Sequence, residues 1–324
     1  MSRRRGFTLV ELVSGIVVFS IVVATSFELT RRWGAYAAKV NAKSSALGQS
    51  RFATIRLGED IRVARYIYHS TRVTVDAGVK VGGQSLANWL PSGGQTTIPA
   101  AWGDELRSGK LSNGLPTDVL VLMQGTMETP IFVAYMRTNG PVNPRNPTAA
   151  ERDGTGLWNR MVRLSMACSG TINTATGEQF RMNVNYRTAG GPLPQHNVRF
   201  VAAATTLNGD HWTGSANAAA SLTCQPTQAL VLATVVPGES AADVPVYAPE
   251  GVKTLFRLLL DHPAANSNVL SPYEVAWNFM AGDPNRPALP GGNQRDGDGE
   301  PLDGVVVEGY AFARNVPLPQ GGSL

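Results

Sequence analysis

From Phe7 to Phe27 the chain runs for 21 residues with one ionisable side chain, Glu11. A helix through this stretch is about 31 Å long, enough to cross the hydrocarbon core of a bilayer. Arg3, Arg4 and Arg5 precede it, and Glu28, Arg31 and Arg32 restore polarity after it. The positive-inside rule keeps the arginine-rich end in the cytoplasm and sends the bulk of the chain across the membrane. Arg31 and Arg32 oppose that orientation, with two charges against three. A cleaved secretory signal has a shorter apolar region, about 7–15 residues, followed by a small-residue cleavage site. Val23-Ala24-Thr25-Ser26 is a poor site of that kind. A plain single-pass anchor explains the length but not Glu11. A carboxylate at the centre of a lone spanning helix costs about 2.5–3.5 kcal/mol, and less toward its end, so an intramembrane charge points to function.

The residues around Glu11 carry a specific pattern. Arg3-Arg4-Arg5-Gly6-Phe7-Thr8-Leu9-Val10-Glu11-Leu12 resembles the processing site of type IV prepilins and type II secretion pseudopilins. Leader charge, glycine, aromatic residue, glutamate and apolar run must all coincide for such a match. The resemblance implies that a prepilin peptidase cuts between Gly6 and Phe7, removes residues 1–6 and methylates the new amino-terminal Phe7. It also implies that Glu11 pairs with the amino-terminal charge of a neighbouring subunit in a filament. The physics agrees, since a buried carboxylate is tolerable beside a buried cation and costly alone. Loss of Arg3, Arg4 and Arg5 takes the formal charge from +4 to +1. Most of the basic balance is therefore a topology signal in a disposable leader, not a surface for polyanions.

No proline occurs before Pro91, although the chain has 21. Helical periodicity continues beyond the apolar run. Trp33, Tyr36, Ala37, Val40, Leu47 and Ile55 share one face, and Leu57, Ile61, Ala64 and Tyr68 mark a second face rotated from it. One helix is expected over residues 7–68. Residues 7–27 form its membrane or filament-core part, and 28–68 an amphipathic part that packs on a head of residues 69–324. Gly48 and Gly58 lie near the change of face, where glycine weakens a helix by about 1 kcal/mol. Many major pilins have a proline where this chain has Glu28, so the kink made by that proline is not implied here.

After Tyr68 the period becomes two. Residues 73–81 and 180–187 alternate apolar with polar, and further strands are expected at 118–124, 130–138, 158–167, 198–203, 229–236, 253–260, 273–280 and 304–314. Such alternation predicts an antiparallel sheet with a partly solvent-facing side. Gly/Pro-rich loops cover mainly 82–116, 139–156, 188–197 and 282–304. The class is α+β: a pilin-like fold with a long amino-terminal helix packed on an antiparallel β-sheet head. The length is similar to that of the large PilW-like minor pilins and J-type pseudopilins. Phe132-Val133-Ala134-Tyr135, Leu157-Trp158-Asn159-Arg160 and Gly251-Val252-Lys253-Thr254-Leu255-Phe256 resemble stretches of that group. The tip pseudopilin typically lacks the glutamate that Glu11 supplies here.

Cys168 and Cys224 are the two cysteines, both in the extracytoplasmic part. An oxidising compartment favours a bridge between them, and two separate buried thiols are the alternative. Asp296, Asp298, Glu300 and Asp303 crowd an acidic loop that offers oxygen ligands to calcium, but its register fails as an EF-hand. A solvated, turn-rich loop is the leading reading there. HExxH, GxSxG and GxxxxGK[ST] motifs are absent. His69, His196, His211 and His262 are scattered, and no enzymatic role is expected. Arg181, Arg187 and Arg199 are the nearest thing to a basic face for DNA, without the dense stripe and interleaved aromatics that nucleic acid requires.

The expected function is that of a minor pilin, a structural and assembly subunit of a type IV pilus-like filament. A type II secretion pseudopilin is the alternative. A DNA-uptake or adhesion subunit and a membrane-anchored periplasmic enzyme follow well behind. The resemblance implies prepilin peptidase, other pilins or pseudopilins and an inner-membrane assembly platform as partners. No specific nucleic acid is expected. Before assembly the head would lie in the periplasm on a single inner-membrane span, and afterwards in the pilus or pseudopilus.

Overall fold

Thr8 is extended (φ −77°, ψ 152°), and its hydroxyl accepts the Glu11 N–H while the Glu11 carboxylate accepts the Thr8 N–H. This reciprocal cap opens helix α1 (Leu9–Arg62), which is 54 residues and about 81 Å long. The computed structural model describes residues 8–68, 71–90, 115–126, 128–139, 156–170, 196–208, 221–236, 255–260, 272–282 and 305–313. The helix runs unbroken through Glu28, Gly48 and Gly58. It ends earlier than the periodicity predicts. Val63 and Ala64 close the last turn onto the Glu59 and Ile61 carbonyls, and the Arg65 N–H is then taken by the Met123 carbonyl. Tyr66–Tyr68 forms strand β1 instead. Pairing with a sheet far along the chain overrides a helical pattern here.

The remaining strands are β2 (Thr71–Val75), β3 (Lys80–Val81), β4 (Gln84–Ser85), β5 (Leu115–Thr117), β6 (Val119–Gly125), β7 (Pro130–Arg137), β8 (Arg160–Ser169) and β9 (His196–Phe200). After them come β10 (Thr205–Asn208), β11 (Ser221–Cys224), β12 (Gln228–Val236), β13 (Phe256–Leu260), β14 (Pro272–Ala281) and β15 (Val305–Phe312). Among the described residues eleven strands make one antiparallel sheet in the order β1-β6-β7-β8-β12-β14-β13-β5, with β15 also on β14, and β11 joining β10 to β8. Strands β2 and β9 form a separate parallel pair.

The continuous strand expected over 73–81 is divided. The Val79 N–H turns back to the Asp76 carbonyl, and a Cβ on Gly78 would stand 2.6 Å from that of Ala202. The turn therefore brings Gly78 against another segment too closely for a side chain. The expected strand at 180–187 lies outside the described residues.

The sheet is the middle of three layers. Leu120, Leu122, Val133 and Tyr135 face α1, together with Leu232, Val275 and Phe279. Val121, Phe132, Ala134, Leu164 and Met166 face the other way, against Val73, Leu86, Val198 and Phe200. Strands β6 and β7 are thus covered on both sides, unlike the half-solvated sheet that alternation predicts. Their sequences explain it: Val119-Leu120-Val121-Leu122-Met123 is apolar without interruption. Solvent reaches the margin instead, where Tyr310 and Phe312 of β15 are exposed.

Helix α1 meets the sheet through small residues. Ala46, Ser50, Ala53 and Gly58 are buried with Leu57 and Ile61. Of the two apolar faces read from the sequence, Leu57 and Ile61 belong to the docked one, and Ala64 and Tyr68 are buried just past the helix end. Trp33, Tyr36, Val40, Leu47 and Ile55 remain exposed. Periodicity finds an apolar stripe, but small residues that permit close helix–sheet approach do not stand out by hydrophobicity.

Candidate functional site

The amino-terminal part of α1 is the candidate site. Every residue from Thr8 to Ala38 is exposed, including bulky Leu9, Val10, Phe19 and Phe27. Burying so much apolar surface is favourable by about 25 cal/mol per Å², so an uncovered helix of this kind is built for surroundings other than water. It is long and apolar enough to cross a membrane, and none of its apolar window is buried against the head.

Several of its polar groups are satisfied locally. Ser20 donates to the Ile16 carbonyl (2.8 Å), Thr25 to Ile21 (2.9 Å) and Thr30 to Ser26 (2.9 Å). Hydroxyls folded back on their own helix do not need water, which suits a hydrocarbon setting. Glu11 is held in the first turn. Its Oε2 accepts from the Thr8 N–H at 2.9 Å and from the Thr8 hydroxyl at 3.0 Å. An acid in the first turn also faces the positive end of the helix dipole. Thr8-Leu9-Val10-Glu11 is the capping-box spacing that initiates a helix, and it is legible in the sequence. The carboxylate therefore has a local partner within one chain, which an argument from lone-charge cost alone overlooks. Gly6 and Phe7 lie outside the described residues, as do Asp296, Asp298, Glu300 and Asp303.

At the other end of the helix a buried ion pair fixes the head. Asp60 Oδ2 accepts from Arg163 Nε at 2.6 Å, and Oδ1 accepts from Nη2 at 3.2 Å. The Tyr135 hydroxyl donates to Asp60 Oδ2 at 2.5 Å, and Gln124 Nε2 donates to the Asp60 carbonyl at 3.0 Å. Burial pushes the Asp60 carboxyl up, but the Arg163 and Tyr135 hydrogen bonds outweigh it and hold the group below its ordinary range. Burial, with Asp60 beside it, pushes the Tyr135 phenol well up. Gln49 adds a second tie: its side-chain oxygen accepts the Thr234 N–H at 3.0 Å, next to the register shift in β12 between Val231 and Ala233. Sequence reasoning did not single out Asp60, Arg163 or Gln49, and it named Tyr135 only as part of the Phe132–Tyr135 stretch. They lie 75–103 positions apart across the Asp60 contacts, and no local pattern connects them.

Cys168 and Cys224 stand directly opposite each other on antiparallel β8 and β11 and are joined by a disulfide, with Cα atoms 4.0 Å apart. The bridge ties β11, and β10 paired with it, to β8. Arg199 is engaged by Asp76, with Nε to Oδ1 at 2.8 Å, which joins β9 to the turn after β2. Arg181 and Arg187 lie outside the described residues.

Residues 1–27 match the family model of the prokaryotic N-terminal methylation motif. No curated protein and no solved structure matches the chain.

Proposed function

The chain carries the amino-terminal methylation motif of the type IV prepilin and pseudopilin family, and from that premise we propose that it is a minor pilin, a non-enzymatic assembly subunit of a type IV pilus-like filament. One observation carries the reading: the motif opens a helix whose first 31 described residues, Thr8 to Ala38, bury nothing against their own head. In the membrane, lipid covers that surface. On assembly, neighbouring helices would replace the lipid while the sheet faces outward. The precursor would wait as a single inner-membrane span with a periplasmic head until an assembly platform extracts it.

In this scheme Glu11 has two successive partners. Before assembly, its carboxylate closes the helix cap with Thr8. In the filament it would meet the methylated amino terminus of an adjacent subunit, exchanging a dipolar partner for a full positive charge in a water-poor setting. That exchange would set axial register. A type II secretion pseudopilin shares the processing signal. Glu11 speaks against its tip subunit, which typically lacks the glutamate.

Co-expression with a prepilin peptidase, followed by amino-terminal sequencing and mass measurement, tests processing. Methyl-Phe7 as the first residue is expected. An intact Arg3–Gly6 leader defeats the proposal. Glu11→Ala is expected to insert in the membrane normally and to fall strongly in sheared filament fractions; undiminished incorporation removes the assigned role of Glu11.

A further inference from the structure

Between the apolar span and the head lies a stretch that neither covers. Phe27 ends the apolar run, and the first residue partly shaded from solvent is Lys39, about 18 Å further along the helix. This gap holds Glu28, Arg31, Arg32, Trp33 and Tyr36. Trp33 and Tyr36 are 62% and 63% exposed, yet their rings meet edge to face with centroids 6.4 Å apart. Glu28 takes Arg32 at 3.0 Å and Arg31 at 3.9 Å, which leaves two guanidinium groups sharing one carboxylate. Indole and phenol rings favour the boundary between hydrocarbon and water, and guanidinium groups pair with phosphate through two parallel hydrogen bonds.

We propose that Arg31, Arg32, Trp33 and Tyr36 form a collar that binds the phosphate-bearing headgroup layer of the leaflet on the head's side. This rests on the membrane-inserted reading given above. The position fits. The headgroup layer is about 5–7 Å deep on each side of the hydrocarbon core, and the Trp33 backbone lies about 9 Å past Phe27. Helical side chains lean toward the amino terminus, so the Trp33 and Tyr36 rings hang back toward the bilayer. Arg32 already reaches back one turn to Glu28. Because the collar is continuous with the span and precedes the head, lipid headgroups reach it before any part of the head does. Its role is to fix how deeply the helix sits, and hence how far Glu11 lies from the opposite surface. Arg31 and Arg32, which oppose the orientation set by the leader, thereby gain a task on the far side of the membrane.

The test uses the full chain, labelled with 5-fluorotryptophan, in nanodiscs of phosphatidylethanolamine and phosphatidylglycerol. The Trp33 fluorine signal is identified by its absence in Trp33→Phe. A spin label carried on the lipid headgroup is expected to erase the Trp33 signal while the head residues Trp89, Trp158 and Trp277 keep theirs. Arg31→Gln/Arg32→Gln is expected to restore part of the Trp33 signal. A Trp33 signal that survives the headgroup label overturns the collar, whether a water-soluble relaxation agent then erases it or protein shields it. Alkaline carbonate extraction of vesicles of the same lipids separates the two claims. A chain released by carbonate defeats membrane insertion as well, whereas a retained chain with an unaffected Trp33 defeats the collar alone.

Discussion

Between Thr8 and Ala38 helix α1 buries nothing, whereas between Ala46 and Ile61 seven of its residues are buried against the sheet. The two regions share one backbone and one hydrogen-bonding pattern, so the difference lies entirely in their side chains. As far as Phe27 the exposed half is apolar all round apart from Glu11, a surface without a preferred side. The docked half is narrow and directional: small residues allow close approach, Leu57 and Ile61 fill the interface, and Asp60 inserts a charge that must meet Arg163 and Tyr135. Non-directional apolar contact tolerates many neighbours, which in the proposed assembly are first lipid and then other helices. A buried ion pair with matched hydrogen bonds tolerates only one. The helix thus joins a fixed attachment to an exchangeable one.

The contrast breaks most severely at the clamp. Asp60→Ala strands the Arg163 guanidinium in the interface and is expected to destabilise the head by about 3–5 kcal/mol in chemical denaturation, with membrane insertion unchanged. Leu57 and Leu47 offer a matched pair, since one is fully buried and the other is 47% exposed. Leu57→Ala is expected to cost about 2–5 kcal/mol. Leu47→Ala is expected to stay within about 0.5 kcal/mol in the same measurement. Equal losses at both positions would erase the distinction between the two faces.

Acid provides a milder probe. The Asp60 carboxyl is held below its unfolded value, so its stabilisation is present above about pH 4 and is lost as pH falls through the folded value. Asp118 works in the opposite sense. Burial raises its carboxyl, opposed by Arg137 and by the Leu255 N–H, so the fold favours its proton and its contribution fades as pH rises. Thermal unfolding of wild type and Asp60→Asn across this range is expected to show the gap between them closing below about pH 4. A gap that persists in acid means the carboxylate charge is not what holds the helix. The most local effect is expected at the amino-terminal end: Thr8→Ala removes one side of the cap, costs about 1 kcal/mol of local helix stability and leaves head unfolding unaltered. Faster amide exchange confined to the first turn is the readout.

Strand positions were largely legible in the sequence. Residues 118–124, 130–138, 158–167, 229–236, 273–280 and 304–314 coincide closely with β6, β7, β8, β12, β14 and β15, because a strand's period and its flanking turns are local properties. The short strands β1, β5, β10 and β11 were not legible. Each has three or four residues and gains its identity from a partner elsewhere in the chain. Tyr66-Ile67-Tyr68 shows this most clearly, since Tyr68 continues the helical face of Leu57, Ile61 and Ala64 while the backbone is drawn to β6. The methylation motif was legible, because it is a short linear segment.

By itself, then, the sequence determined what contiguous residues set: a helix long and apolar enough to cross a membrane, the methylation motif and most strand segments. Tertiary structure alone decided which helix face docks, that Asp60 meets Arg163 and Tyr135, and that Cys168 lies opposite Cys224. The physical reason is range. Hydropathy and hydrogen-bond period act over a few residues, whereas docking depends on the shape and charge of surfaces assembled from distant segments, and on which of two apolar faces meets the better-fitting partner.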